Sequence, residues 1–244
     1  MANTLSPAIL SLDTAQEDCA VALFRDGRLL ARRVEHVGSR HAERILSMLD
    51  EALEEAKVEK REIGLVAFGA GPGSFTGLRV ACGVAQGVAW ALHVDTAPVS
   101  NLEALALDEA EERKLPAGTV VAVMNDARMS ELYAGVYRTG APGERLERLA
   151  GPELVKPEGA AEYVRSSGAS VVTGSGPSVY PQAFAGIERA LVAVRLRSAP
   201  EAIARIGAML AKEGATVPPE DASPVYVRNR VALTSAERAR GERL

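Results

Sequence analysis

Ile9 to Gly27 reads ILSLDTAQEDCAVALFRDG, and Val121 to Gly140 reads VAVMNDARMSELYAGVYRTG. Each is an apolar run, a polar turn opened by an acid, a second apolar run and a glycine, the pattern of two strands joined by a short turn. Asp13 falls on Asp126 and Gly27 on Gly140 at one constant offset, so the chain reads as an internal duplication. That reading sets the fold class as α/β with two lobes, each a mixed sheet with helices.

Working outward from the first copy, Ile9–Asp13 and Cys19–Phe24 are the opening strands, and Asp26-Gly27 is a two-residue hairpin signal leading into a third strand over Leu29–Val34. Ser39 is a candidate cap for a helix over Arg40–Lys57, where Ala42, Ile45, Leu46, Leu49, Leu53 and Ala56 recur at helical spacing. Ile63–Phe68 is an apolar strand of the kind found in a parallel position. A strand over Thr96–Val99 and a helix over Asn101–Glu112 follow, giving the order β-β-β-α-β-α-β-α. The pattern restarts after Lys114 to Gly118, so residues 1–114 form the first lobe and 115–231 the second, with 232–244 read as a disordered tail. In the second lobe a strand near Leu146, a helix over Pro157–Ser166, a strand over Ser170–Thr173 and a helix over Pro200–Lys212 can be placed.

Between the fourth strand and the fifth lies Gly69 to Leu92, GAGPGSFTGLRVACGVAQGVAWAL. Its loop half has no lysine, so it fails the Walker pattern, and Gly77 comes one residue too late for G-x-G-x-x-G. The glycines read as a tight turn, with Asp13, Gly73, Ser74 and Thr76 as candidates for contact with a nucleotide or other anion. Its helix half, Leu78–Leu92 with Thr76 as N-cap, is apolar nearly all round, so it should be covered on two sides. Interior Gly83 and Gly87 each cost about 1 kcal/mol relative to alanine and make sense where another surface packs close.

Composition excludes several classes. The formal net charge is −4, which gives no basic footprint for holding nucleic acid unaided. Cys19 and Cys82 fall in apolar settings and read as reduced core residues. No signal peptide opens the chain, and its longest apolar run is broken by Gln86 and short of a membrane span, so the cytoplasm is expected. His36, His41 and His93 form no i, i+4 pair, and His41 reads as a surface or capping residue. No metal site and no catalytic residue is therefore assigned. For Asp13 and Asp126, hairpin capping is preferred over a nucleotide role.

Two lobes that each begin on strand, turn and acid resemble the duplicated ASKHA fold of actin, the heat-shock chaperones and the sugar kinases. Within it, LSLDTA, GSRHAERIL, GAGPGSFTGLR, DAR at Asp126–Arg128 and PVYVRN resemble the bacterial TsaB (YeaZ) family over nearly the whole chain. The resemblance implies a non-catalytic partner of the paralogue TsaD. With the ATPase TsaE, these proteins install threonylcarbamoyl on the adenosine beside the tRNA anticodon. The paralogue's H-M-E-G-H metal motif matches Asn101 to Leu105 here, and leucine cannot ligate a metal.

The leading expectation is thus a subunit that binds a TsaD-type partner through helices carrying His41, Ile45, Leu49, Arg79, Val80, Gly83, Val84 and Gly87. It would meet a TsaE-type ATPase and tRNA only within the complex, pair with itself when alone, and touch no membrane. No tightly bound cofactor is expected, a nucleotide at a subunit interface being the one candidate. The alternative is a nucleotide-dependent transferase or metallopeptidase-like enzyme of the same fold. A dinucleotide oxidoreductase ranks last, because Asp95 opens a strand instead of ending one.

Overall fold

The computed structural model describes residues 6–188, 191–195, 198–228 and 240. The tail over 232–244 lies outside these residues apart from position 240. The first half runs β1 (Ala8–Asp13), β2 (Asp18–Arg25), β3 (Arg28–His36), α1 (His41–Ala56), β4 (Ile63–Gly71), α2 (Phe75–Leu92), β5 (Asp95–Ser100) and α3 (Asn101–Glu112). The second runs β6 (Val120–Asp126), β7 (Leu132–Arg138), β8 (Glu147–Val155), α4 (Ala160–Ser166), β9 (Val171–Gly174), α5 (Gly176–Val179), β10 (Val192–Val194) and α6 (Pro200–Lys212).

The two sheets have one topology. The first is ordered β3-β2-β1-β4-β5 and the second β10-β9-β6-β7-β8, which is the same order read from the other edge. In each, the opening strand pairs antiparallel with the next strand and parallel with the fourth: β1 with β2 and β4, β6 with β7 and β9. The duplication is therefore structural, and the ASKHA fold expected from it is the fold observed. Asp26 and Gly27 both take positive φ, 52° and 77°, as the hairpin turn between β2 and β3 requires.

The two halves exchange cover. α3 packs against β6, β7 and β9, while α6 lies across β1, β2, β4 and β5 and touches α3. Gly207 of α6 sits so close to the sheet that a Cβ there would lie 2.7 Å from the Ala67 methyl. Beyond α6 the chain stays with the first sheet, where Val217 and Thr96 exchange backbone hydrogen bonds and the Val225 amide donates to the Ala70 carbonyl. Residues 200–227, read from sequence as part of the second lobe, thus pack largely on the first. Tertiary burial of the α6 stripe decides this, and no local signal carries it.

α2 begins earlier than the sequence suggests, at Phe75. Ser74 is its N-cap in place of Thr76, the Ser74 hydroxyl accepting from the Gly77 amide at 3.4 Å. With Phe75 to Gly77 added, α2 is long and apolar enough, by length and composition alone, to cross a membrane. In the fold it is the crossover between parallel strands β4 and β5. α1 has Arg40 at its N-cap position with no side-chain cap, so Ser39 does not cap it.

Candidate functional site

Two surfaces gather the residues that the sequence singles out. The first is a cleft of about 1060 Å³ between the lobes, lined by the β1–β2 turn, the starts of α1 and α2, the β6–β7 turn and the chain near Tyr226. The second is the outer face of α2.

The glycine loop at the cleft is built as a packing joint. A Cβ on Gly73 would lie 2.6 Å from the Ala15 carbonyl, and one on Gly77 would lie 1.9 Å from the Thr14 carbonyl. Two of the loop's amides are spent within the protein: Gly71 donates to the Asn101 side chain at 2.8 Å and Ser74 to the Ala15 carbonyl at 2.7 Å. Those two amides are closed to an anion, and the close approach of Gly73 and Gly77 to the β1–β2 turn is the packing a tight turn makes.

Asp13 stands behind that joint and is 3% exposed. Its carboxylate accepts from the Ala15 amide at 3.0 Å, from the Asn101 amide nitrogen at 2.9 Å and from the Ser198 hydroxyl. Burial pushes this carboxyl up, while the hydrogen bonds from Ser198, Ala15 and Asn101 act the other way. Gly73, Ser74 and Thr76 line the cleft; Asp13 does not. Asp126 holds the matching turn by accepting from the Arg128 amide at 3.0 Å, and it accepts from the Tyr180 hydroxyl at 3.1 Å. Both acids therefore cap their hairpins, as Asx turns do.

The β6–β7 turn places Arg128, Met129 and Ser130 in succession at positive φ, 61°, 54° and 55°. Arg128 reaches across the cleft to Glu17 at 2.9 Å, and Arg228 holds the turn from the other side through Glu131 and the Arg128 carbonyl. Sequence reading missed this latch, because its partners are far apart in the chain.

At the positions that match the paralogue's histidines, Asn101 and Leu105 are buried in α3. Asn101 joins Asp13 to the Gly71 amide. Between them, buried Glu103 takes two hydrogen bonds from Arg145, at 2.7 and 3.0 Å. Among the described residues, no three His, Cys, Asp or Glu side chains gather as a metal donor set. Cys19 and Cys82 are free and buried, and burial pushes the Cys19 thiol up to about 12.

This chain supplies one cover for α2, through Leu78, Ala81, Cys82, Ala85 and Ala89. Val80, Val84 and Val88 are half-buried, Trp90 is 63% exposed, and a Cβ on Gly83 or Gly87 would meet nothing within 4 Å. On α1, Ile45 and Leu49 do not face outward but are buried in the first lobe's core, and His41, also buried, lines the cleft. Met48 and Ala52 join that buried face and rotate its centre, leaving Leu46 53% exposed. His41 is consequently neither a surface residue nor a cap, and its Nε2 has no hydrogen-bond partner among the described residues.

Known proteins agree with this geometry. A family described as TsaD, tRNA N6-adenosine threonylcarbamoyltransferase, matches residues 35–212. The tRNA threonylcarbamoyladenosine biosynthesis protein TsaB of Escherichia coli K12 is 37% identical over 231 residues, covering 92% of this chain and 96% of that one. YeaZ from Pseudomonas aeruginosa superposes with a TM-score of 0.78 at 32% identity, covering 90% of this chain and 99% of that one. A further crystal structure, of a protein described as similar to peptidase YeaZ from Pseudomonas aeruginosa, gives 0.80 at 33% identity over 91% of this chain and all of the other. With such likeness over nearly the full length of its relatives, and the same sequence motifs on a duplicated two-lobed frame, this protein belongs to the TsaB (YeaZ) family.

Proposed function

We propose that this chain is a non-catalytic subunit in the making of threonylcarbamoyladenosine in tRNA, and that it docks a TsaD-type catalytic paralogue through α2. The carrying observation is the uncovered apolar face of α2, with two interior glycines open to solvent. Gly83 and Gly87 weaken the free helix, a cost that is offset where a second helix approaches the backbone closely. Val80, Val84 and Trp90 on α2 and Leu46 on α1 extend the apolar face, which marks a protein-binding surface.

The non-catalytic reading is supported by Asn101, whose amide is committed on both sides, and by Leu105, which has no donor atom. For the peptidase likeness of one relative, Ser74 and His41 do not form a nucleophile–base pair: Ser74 caps α2, and His41 Nε2 has no hydrogen-bond partner among the described residues. In this reading a TsaE-type ATPase and tRNA join only within the complex. A nucleotide would sit at the subunit interface, the cytoplasm is the site of action, and two copies pair through the same face when alone.

Val84→Glu tests the docking reading by placing a charge in the middle of the face. The variant should elute as a folded protein in size-exclusion chromatography yet fail to co-elute with the paralogue. Co-elution of a folded Val84→Glu protein would refute the assignment. Metal analysis of the pure chain tests the non-catalytic reading, which a stoichiometric transition metal would contradict.

A further inference from the structure

We propose that Arg79 receives a carboxylate from the partner subunit, forming an ion-paired anchor at the N-terminal end of the α2 face; this rests on the docking reading above. Arg79 is exposed in the first turns of α2. Its guanidinium stacks on Phe75, 3.8 Å from the ring centroid, with the Tyr226 ring 6.0 Å away on the same group. Its Nε donates to the Tyr226 hydroxyl at 3.0 Å, and the two rings lean on each other at 5.3 Å.

Most of the described arginines rest on carboxylates, as Arg33, Arg44 and Arg128 do. Among the described residues none lies within ion-pair distance of Arg79, so both terminal nitrogens are free to donate. A guanidinium held by stacking on one face and by its Nε loses little freedom when a planar, two-oxygen anion meets its open edge. Both rings are also partly exposed, Phe75 at 36% and Tyr226 at 41%, and would seal the pair from water.

Carboxylate and phosphate share the geometry, and two observations favour the carboxylate. In the adjoining cleft Glu17, Asp18 and Asp126 stand beside Arg128 and Arg228, so the cleft has no excess of arginine over acid to hold a polyphosphate. The site is also continuous with Val80 and Gly83 on the face that a protein would cover.

The test is titration calorimetry of the full chain with the TsaD-type paralogue at low and high salt, for wild type, Arg79→Gln, Arg79→Lys, Tyr226→Phe and Val84→Glu. Arg79→Gln should weaken association by about 10- to 100-fold at low salt and flatten its salt dependence. Arg79→Lys should recover part of the loss, and Tyr226→Phe, which keeps the ring, should cost less than Arg79→Gln. Melting temperatures of the free variants should match wild type. Unchanged affinity and salt slope in Arg79→Gln overturns the proposal; if Val84→Glu still abolishes binding, the docking reading survives, and if it does not, both fall. Inorganic phosphate titrated onto the isolated chain is the second arm. Binding that Arg79→Gln abolishes would assign the site to phosphate and overturn the carboxylate.

Discussion

Asp13 is the residue whose chemistry and position disagree most. Its carboxylate is buried, held by three donors and raised by desolvation. A raised acid binds its proton more tightly in the folded chain than in the unfolded one. Its contribution to stability is therefore fully present below the ordinary carboxylate value and is lost as pH rises through the folded value. Asp13→Asn keeps the shape and still accepts from Ala15 and Asn101. It should be at least as stable as wild type at neutral pH and should flatten the decline above the ordinary carboxylate range. Asp13→Ala strands the Ala15 amide, the Asn101 side chain and the Ser198 hydroxyl, and should cost about 3 kcal/mol. Thermal melts across pH read both effects, and an Asn variant with the wild-type slope would contradict the desolvation account. The acid and its turn were legible as a hairpin cap because an Asx turn is local. Asn101 and Ser198 were not, since 88 and 185 residues separate them from their acceptor.

At the scale of one element, α2 sets stability against binding. A Cβ at Gly83 or Gly87 meets nothing within 4 Å among the described residues outside its own helical turn, so alanine there is free of strain and removes the helix-interior penalty of glycine. Gly83→Ala and Gly87→Ala should each stabilise the isolated chain by about 1 kcal/mol, read from chemical denaturation. In the docking reading the same methyls keep a partner helix at a distance, so affinity for the paralogue should fall. Ala variants that bind as tightly as wild type would show that no backbone comes close there. The composition of this helix carried the essential signal, because a segment apolar nearly all round must be covered more than once. Its phase was harder to read on α1, where Ile45 and Leu49 go inward and Leu46 stays out. Periodicity finds a stripe, but the stripe's centre depends on which neighbours, here Met48 and Ala52, pack deepest.

The whole molecule is two copies of one sheet made inseparable by the helices that follow them. The duplication was legible from Asp13, Asp126 and their flanking runs, yet the sequence boundary at residue 115 describes chain order and not packing. α3 touches β4 and β5 of the first sheet while covering β6, β7 and β9 of the second, α6 returns to cover the first, and the two helices touch. Leu65 and Val99 of one sheet, Val121 and Val123 of the other, Leu102 of α3 and Ile203 of α6 share one buried cluster. A shared core of this kind joins both lobes in one cooperative unit, because exposing either sheet also uncovers the central helices. Ile203→Ala, at a fully buried position, should cost about 3 kcal/mol. Hydrogen exchange under increasing denaturant should then show peptides from β1 and β4 and peptides from β6 and β9 losing protection at one lowered midpoint. Two separate midpoints, with only the first sheet responding to the substitution, would mean that the lobes unfold independently and that α6 serves the first alone.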